Sequence, residues 1–154
     1  MPETENGVKW FRNRHGFAIV NLDVSPETEN KIIEQFSGKG WFGQGNIDAI
    51  SKNGFDNWKT AAKRALEYAF TFTDNYYTVT INSIEGLIAT DTNATVVGYV
   101  TILAFFDKIG YTPEKAFTDN LEEFVLSSWK QTHDATPNFF DFTFTYPANE
   151  LKNL

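Results

Sequence analysis

Residues 56–70, DNWKTAAKRALEYAF, carry the clearest structural pattern in the chain. Apolar side chains recur there at helical spacing, and charged side chains occupy the opposite face: Lys59, Lys63, Arg64 and Glu67. The spacing predicts an amphipathic helix with Asp56 as its cap. Its alanines would let another element approach closely. Because such a helix must bury its apolar face against a second layer, the neighbouring segments decide the fold class.

Three stretches around this helix predict β-strands. Residues 76–90, YYTVTINSIEGLIAT, are rich in β-branched residues and alternate, so a strand is expected over at least Tyr77–Ser83. Residues 8–22, VKWFRNRHGFAIVNL, predict a hairpin that turns at RNRHG. Residues 139–147, FFDFTFTYP, predict a half-buried strand with one aromatic face, formed by Phe140, Phe142, Phe144 and Tyr146.

Two local signatures predict further helices. Ser25-Pro26-Glu27 combines a capping residue, a proline and an acid, and predicts a short helix that Gly38 ends, with an apolar face of Ile32, Ile33 and Phe36. Thr112-Pro113-Glu114 repeats the signature before an apolar stripe that includes Phe117, Leu121, Phe124, Val125 and Trp129.

The segment between these regions is ambiguous. Residues 94–109 are expected to form a helix capped by Thr92 or Asn93, with Gly110 as its stop. The alternative is a long hairpin over 76–106 that turns at Asp91–Asn93.

The order of these elements predicts a single α+β domain over residues 1–154. We expect a small, largely antiparallel sheet of about four strands, with about four helices packed on one face. The ends of the chain, residues 1–6 and 148–154, are expected to be loosely ordered tails.

Charge and aromatic content narrow the classes of function. The net charge is −7, and residues 78–154 carry 10 acids against four lysines. An acidic chain repels phosphate backbones, so we expect no nucleic-acid partner. Aromatic residues make up 16% of the chain, a surplus that could supply an exposed patch as well as a core.

The chain contains no cysteine, which excludes disulfides, thiolate metal sites and a cysteine nucleophile. The first residues, MPETENG, are polar, and the longest apolar run, residues 96–106, is too short to span a bilayer. We therefore expect a soluble, cytoplasmic protein with no membrane association.

The glycines of GKGWFGQG, residues 38–45, match the spacing of a dinucleotide loop. That fingerprint requires a strand before the glycines and a helix directly after them, and neither is predicted. Nucleotide binding is therefore not expected. Trp41 and Phe42 are interpreted as anchors of a glycine-rich turn or, if exposed, as a contact patch.

Charged residues supply two other candidate sites. Lys9, Arg12, Arg14 and His15 could hold a phosphate, a carboxylate or an acidic partner at the hairpin tip, although solvated charge is common at such tips. Glu85 and Asp91 border the strand from 76 and could enter a cleft. The run at 91–95 lacks the glycine and the final carboxylate of a calcium loop, and two histidines without a metal motif predict no metal site. No cofactor is predicted.

Two functional hypotheses follow. The first is a non-enzymatic, acidic binding or assembly module that docks on a protein partner or on itself, as an inhibitor, immunity-type protein or accessory subunit. The alternative is a small-molecule or enzymatic site in a pocket between the helices and the sheet. Its polar groups would come from His15, Glu85 or Asp91, and its aromatic wall would be formed by Trp41, Phe42, Trp58, Tyr76 and Tyr77.

Overall fold

A computed structural model of the protein describes residues 8–11, 16–36, 38–40, 47–87 and 91–146. The elements in chain order are β1 (Val8–Phe11), β2 (Gly16–Glu27), β3 (Lys31–Glu34), β4 (Asp48–Ala49), α1 (Asp56–Phe70), β5 (Tyr76–Gly86), α2 (Ala94–Ile109), α3 (Lys115–Ser127), a 3₁₀ turn (Ser128–Lys130), β6 (Thr136–Asn138) and β7 (Thr143–Thr145). The α+β class predicted from the sequence is confirmed.

Strands β2 and β5 form the centre of the main sheet. They pair in antiparallel fashion along most of their length, with a bulge at Asn82 because Asn21 faces Ser83 whereas Leu22 faces Ile81. The strand order is β1-β2-β5-β3, and the two-residue strand β4 pairs with the far end of β5. The predicted hairpin of β1 and β2 and the predicted strand from Tyr77 are confirmed.

The prediction of a largely antiparallel sheet is corrected by β3. This strand lies parallel to β5, so the sheet is mixed. The chain crosses the start of β5 between β2 and β3, and there the Asn30 side-chain oxygen accepts a 2.9 Å hydrogen bond from the backbone N–H of Tyr77. The side chain thus takes the place of a strand partner where the chain crosses over.

The prediction of a helix that starts at Ser25-Pro26-Glu27 is wrong. Those three residues form the end of β2, and Ile32 and Ile33 lie in β3. The helix-cap signature involves only three residues. Pairing with β5 instead provides backbone hydrogen-bond partners along both β2 and β3, and a strand suits the β-branched residues Ile32 and Ile33. The described residues therefore contain three α-helices rather than about four. Gly38 does not end a helix. It allows the chain to pass close to the backbone of Ala49, since a Cβ at position 38 would lie 2.3 Å from the Ala49 carbonyl oxygen.

The helical layer meets the sheet through α2, on the face where alternate residues of β2 and β5 are buried, among them Val20, Leu22, Val79 and Ile81. α2 packs directly on the sheet and is buried around most of its circumference, while α1 packs on α2. The predicted helices over 56–70 and 94–109 are confirmed, and the long hairpin over 76–106 does not form.

The ends of the helices agree only partly with the predicted caps. Asn93 caps α2 by accepting a 2.8 Å hydrogen bond from the Val96 N–H, and Gly110 ends it at φ 73°. Asp56 is the first residue of α1, whose cap position is taken by Phe55 in a left-handed conformation with no side-chain hydrogen bond. α3 begins after Glu114, two residues later than the threonine–proline signature indicates.

The strand predicted over 139–147 is confirmed only at its end, where β7 pairs with β6 in a separate two-stranded sheet. Residues 139–142 form the turn between these strands. The alternation of aromatic residues therefore continues through a turn, and Phe140 does not share one sheet face with Phe144. Phe139 is instead the inward residue, with 1% of its surface exposed.

Candidate functional site

Five of the seven predicted site residues lie outside the described part of the chain: Arg12, Arg14, His15, Trp41 and Phe42. Glu85 is half-buried in β5, opposite Ile19 and Ala49. Asp91 precedes α2 and accepts a 2.8 Å hydrogen bond from the Phe17 N–H through its backbone oxygen. Neither carboxylate lines the clefts described below, so the structure does not bring this pair to a shared site there.

The turn of the C-terminal hairpin, residues 139–142, exposes two phenylalanine side chains, and we call it the aromatic tip. Phe140 is 60% exposed and Phe142 is 38% exposed. Phe142 also has a left-handed backbone, with φ 58°. A bulky side chain is an outlier in that conformation, which costs about 1–3 kcal/mol.

Contacts with α1 and α3 hold the aromatic tip in place. The Phe142 ring stacks on Phe124 with 4.9 Å between centroids, and Phe140 meets the edge of Tyr68 at 5.2 Å. Arg64 ties the hairpin to α1, because its Nη1 donates to the Pro137 carbonyl and to the Thr145 hydroxyl, both at 3.1 Å. The exposed rings therefore sit on a fixed scaffold.

Polar side chains fix the turn itself. The Asn138 side-chain oxygen accepts a 3.0 Å hydrogen bond from the Phe140 N–H, and the Thr143 hydroxyl donates to Asp141 at 2.7 Å. Asparagine and aspartate favour turns through such local bonds. Asn138 and Asp141 could have indicated a turn in the sequence. The alternation of aromatic residues over 139–147 was the stronger pattern, and it led to the prediction of a strand.

A second candidate site is a cleft of about 520 Å³ where the first turns of α1 and α2 meet the segment after α3. We call it the polar cleft. Its walls combine aromatic rings with amides, hydroxyls and carboxylates, contributed by Phe55, Asp56, Asn57, Trp58, Thr92, Asn93, Thr95, Ser128, Trp129, Gln131, Thr132, His133, Asp134 and Ala135. Trp58, which the sequence placed in an aromatic pocket, is among them, whereas Tyr76 and Tyr77 are not.

Several polar groups of the cleft are engaged in holding its walls together. The Asn93 amide donates to the Ser128 hydroxyl at 2.9 Å, and the Asn57 amide donates to the His133 carbonyl oxygen at 3.0 Å. The Thr132 hydroxyl and an Asp134 carboxylate oxygen lie 2.6 Å apart. The first two bonds join α1 and the cap of α2 to the segment after α3, and the third lies within that segment.

The residues that line the polar cleft belong to three segments, 55–58, 92–95 and 128–135, which are far apart in the sequence. Asn57, Thr95 and His133 come together only because α1 and α2 start at the same end of the molecule. A neighbouring depression of about 650 Å³ alternates acids and lysines, with Lys59 Nζ lying 5.0 Å from the centre of the Phe36 ring. It presents solvated charge on both sides and suggests no particular ligand.

Among the described residues, the titratable group with the most perturbed pKa lies away from both sites. Burial raises the pKa of the Tyr99 hydroxyl well above its ordinary value of 10.0, and the hydrogen bond to Glu122, 2.8 Å long, raises it further. This tyrosine joins α2 to α3 and serves the core. Among the described residues, no group of three histidine, aspartate or glutamate side chains could hold a metal ion.

Comparison of the chain with protein-family models, with curated proteins and with solved structures finds no match. Within the described residues, no helix is both long and apolar enough to cross a membrane. The function must therefore be inferred from the aromatic tip, the polar cleft and the charge of the chain.

Proposed function

We propose that the protein is a non-enzymatic binding module that docks on a protein partner, or on a second copy of itself, through the aromatic tip. The observation that carries the proposal is the exposure of Phe140 and Phe142 on an anchored turn. Aromatic side chains dominate the binding energy of protein interfaces because they bury a large area at little cost in conformational entropy.

The rigid support of the tip favours this function. A ring that is already held by Tyr68 or Phe124 loses little freedom on association, so more of the contact energy remains for affinity. The left-handed backbone of Phe142 directs its ring at some cost in stability, which is expected where the exposed position itself is needed.

Charge indicates what kind of partner fits. Residues 111–146 contain six carboxylates and only two lysines, and Asp141 lies between the two exposed phenylalanines. A basic surface with apolar pockets would complement this region and would be drawn to it at long range. An inhibitor or immunity-type protein that masks a basic target fits this description, as does an accessory subunit of a larger assembly.

The proposal is tested by native mass spectrometry of the protein isolated from its own cells. We expect the wild-type chain to carry a bound chain or to be oligomeric, and the double variant Phe140→Ser/Phe142→Ser to be monomeric. Tyr76→Ser is the matched control, because Tyr76 is also an aromatic residue with about half of its surface exposed, 52%. A monomeric wild-type protein, or a complex that survives the double substitution, would refute the proposal.

A further inference from the structure

We propose that the polar cleft binds a neutral, polyhydroxylated small molecule of the size of a mono- or disaccharide. This inference does not depend on the aromatic tip. Its starting point is Thr95, which lines the cleft with 2% of its surface exposed. Its hydroxyl has no hydrogen-bond partner among the residues that the structure describes. Buried hydroxyls are nearly always bonded, so a partner that enters the cleft is expected.

Other groups of the cleft are also available for hydrogen bonds. The Asn57 amide nitrogen is engaged with the His133 carbonyl, but its oxygen has no partner within the described ranges. The imidazole of His133 likewise makes no hydrogen bond to a described residue, and the side chain is exposed. Together with Thr95, they offer both donors and acceptors around one space, which is what a ligand with several hydroxyls requires.

The charges around the cleft argue against an anionic ligand. Asp56 and Asp134 are in the wall, and none of the described residues that line it is a lysine or an arginine. Both carboxylates would repel a phosphate or carboxylate group at short range. The positive ends of α1 and α2 would attract an anion, but each is worth only about half an elementary charge.

The same helix ends argue against a cationic ligand. The first turns of α1 and α2 both border the cleft, so their positive ends would offset the attraction of Asp56 and Asp134 for an ammonium group. A neutral hydroxyl suits both kinds of group, because it can donate to a carboxylate and accept from an N–H. The mixture of charges thus favours a polyol over either ion.

Aromatic surface and size complete the match. Trp129, which is 37% exposed, lines the cleft together with Trp58 and Phe55. The rings of Trp58 and Phe55 lie 5.1 Å apart between centroids. The apolar C–H faces of a sugar ring can pack on an indole while its hydroxyls meet the polar wall. The volume, about 520 Å³, lies within the roughly 300–1,000 Å³ of small-molecule sites.

Saturation-transfer NMR on the full chain tests the proposal directly. The probes are glucose, galactose, mannose, N-acetylglucosamine, maltose and glycerol at millimolar concentration, with inorganic phosphate and tetramethylammonium as ionic comparisons. We expect transfer to at least one sugar, and line broadening for neither ion. Binding of an ion in preference to every sugar, or binding of none of the probes, would overturn the proposal.

A pair of threonines in α2 provides matched variants. Thr95→Val removes the unbonded hydroxyl, so we expect roughly fivefold weaker sugar binding at unchanged or higher melting temperature. Thr101→Val is the control, because the equally buried Thr101 hydroxyl donates to the Val97 carbonyl at 2.7 Å and does not line the cleft. It should leave sugar affinity unchanged.

His133→Ala gives an independent check, because this substitution does not alter the core. The His133 side chain is exposed and forms no hydrogen bond to the described residues. We expect weaker sugar binding with an unchanged melting temperature. If both Thr95→Val and His133→Ala bind sugar as well as the wild-type protein does, the ligand does not occupy the polar cleft and the inference is wrong.

Discussion

Gly98 shows how closely the helices and the C-terminal hairpin approach one another. A Cβ at this position would lie 2.4 Å from the ring of Phe139 and 3.3 Å from the backbone oxygen of Ala61. Two independent elements, α1 and the aromatic tip, thus meet α2 at one residue. The absence of a side chain allows the buried phenylalanine that anchors the tip to reach the core.

Substitution Gly98→Ala is expected to lower the free energy of unfolding by about 1–3 kcal/mol, because an added methyl group overfills the contact with Phe139. Helix propensity alone predicts the opposite sign, a gain of about 1 kcal/mol. Urea denaturation followed by circular dichroism measures the difference. A variant more stable than the wild-type protein would show that this packing is not as close as described.

The second residue-scale prediction concerns Tyr99. Its pKa is raised in the folded state, so the folded protein holds this proton more tightly than the unfolded chain does. The stabilisation is fully present below pH 10 and is lost as the pH rises above the ordinary tyrosine pKa. We expect the melting temperature to fall more steeply above pH 10 in the wild-type protein than in Tyr99→Phe. Tyr76→Phe, at an exposed position, should retain the wild-type profile.

At the scale of elements, the aromatic residues of the C-terminal hairpin have two roles. Phe139 anchors the hairpin in the core, and Phe140 is exposed for contact with a partner. Phe139→Ala should destabilise the protein by about 3–5 kcal/mol, because it empties a buried site between Tyr68 and Phe124. Phe140→Ser should change the stability by only about 0.5 kcal/mol, because that ring is 60% exposed. Parallel thermal melts measure both, and equal losses of stability would contradict this division.

The elements also show what the sequence could predict. The helices over 56–70 and 94–109 were predicted at their observed bounds. One-sided apolar spacing fixed the type of the first, whereas the second was ambiguous with a strand and its bounds came from the cap at Asn93 and the stop at Gly110. The helix from Ser25 failed because a three-residue signature was weighed without the strand β5 that pairs with that segment. Likewise, the tip at 139–142 was missed because the alternation continues across the turn.

The candidate sites were less predictable than the fold, because they depend on the arrangement of whole elements. Trp58 was predicted to line a pocket between the helices and the sheet, whereas it lines the polar cleft, where its neighbours come from two other segments, 92–95 and 128–135. A single sequence carries no signal that Thr95 and His133 meet there. Glu85 and Asp91 were predicted to enter a cleft because they border one strand, and neither lines the two clefts described above.

At the scale of the whole molecule, the net charge of −7 should govern the affinity for a partner. If the partner surface is basic, sodium chloride weakens the complex, because the Debye length falls from about 10 Å at 0.1 M to about 3 Å at 1 M. Isothermal titration calorimetry across this range, with the isolated partner, measures the effect. An affinity that stays constant or rises with salt would contradict the electrostatic part of the proposed function.

The proposed function depends on the aromatic tip being the surface that meets the partner. Site-specific photo-crosslinking in the source cells tests this most directly, with a benzoylphenylalanine placed at position 140 or, as the control, at position 76. We predict a covalent adduct to one defined partner chain, or to a second copy, from position 140 and none from position 76. Adducts of equal yield from both positions, or from position 76 alone, would contradict the account.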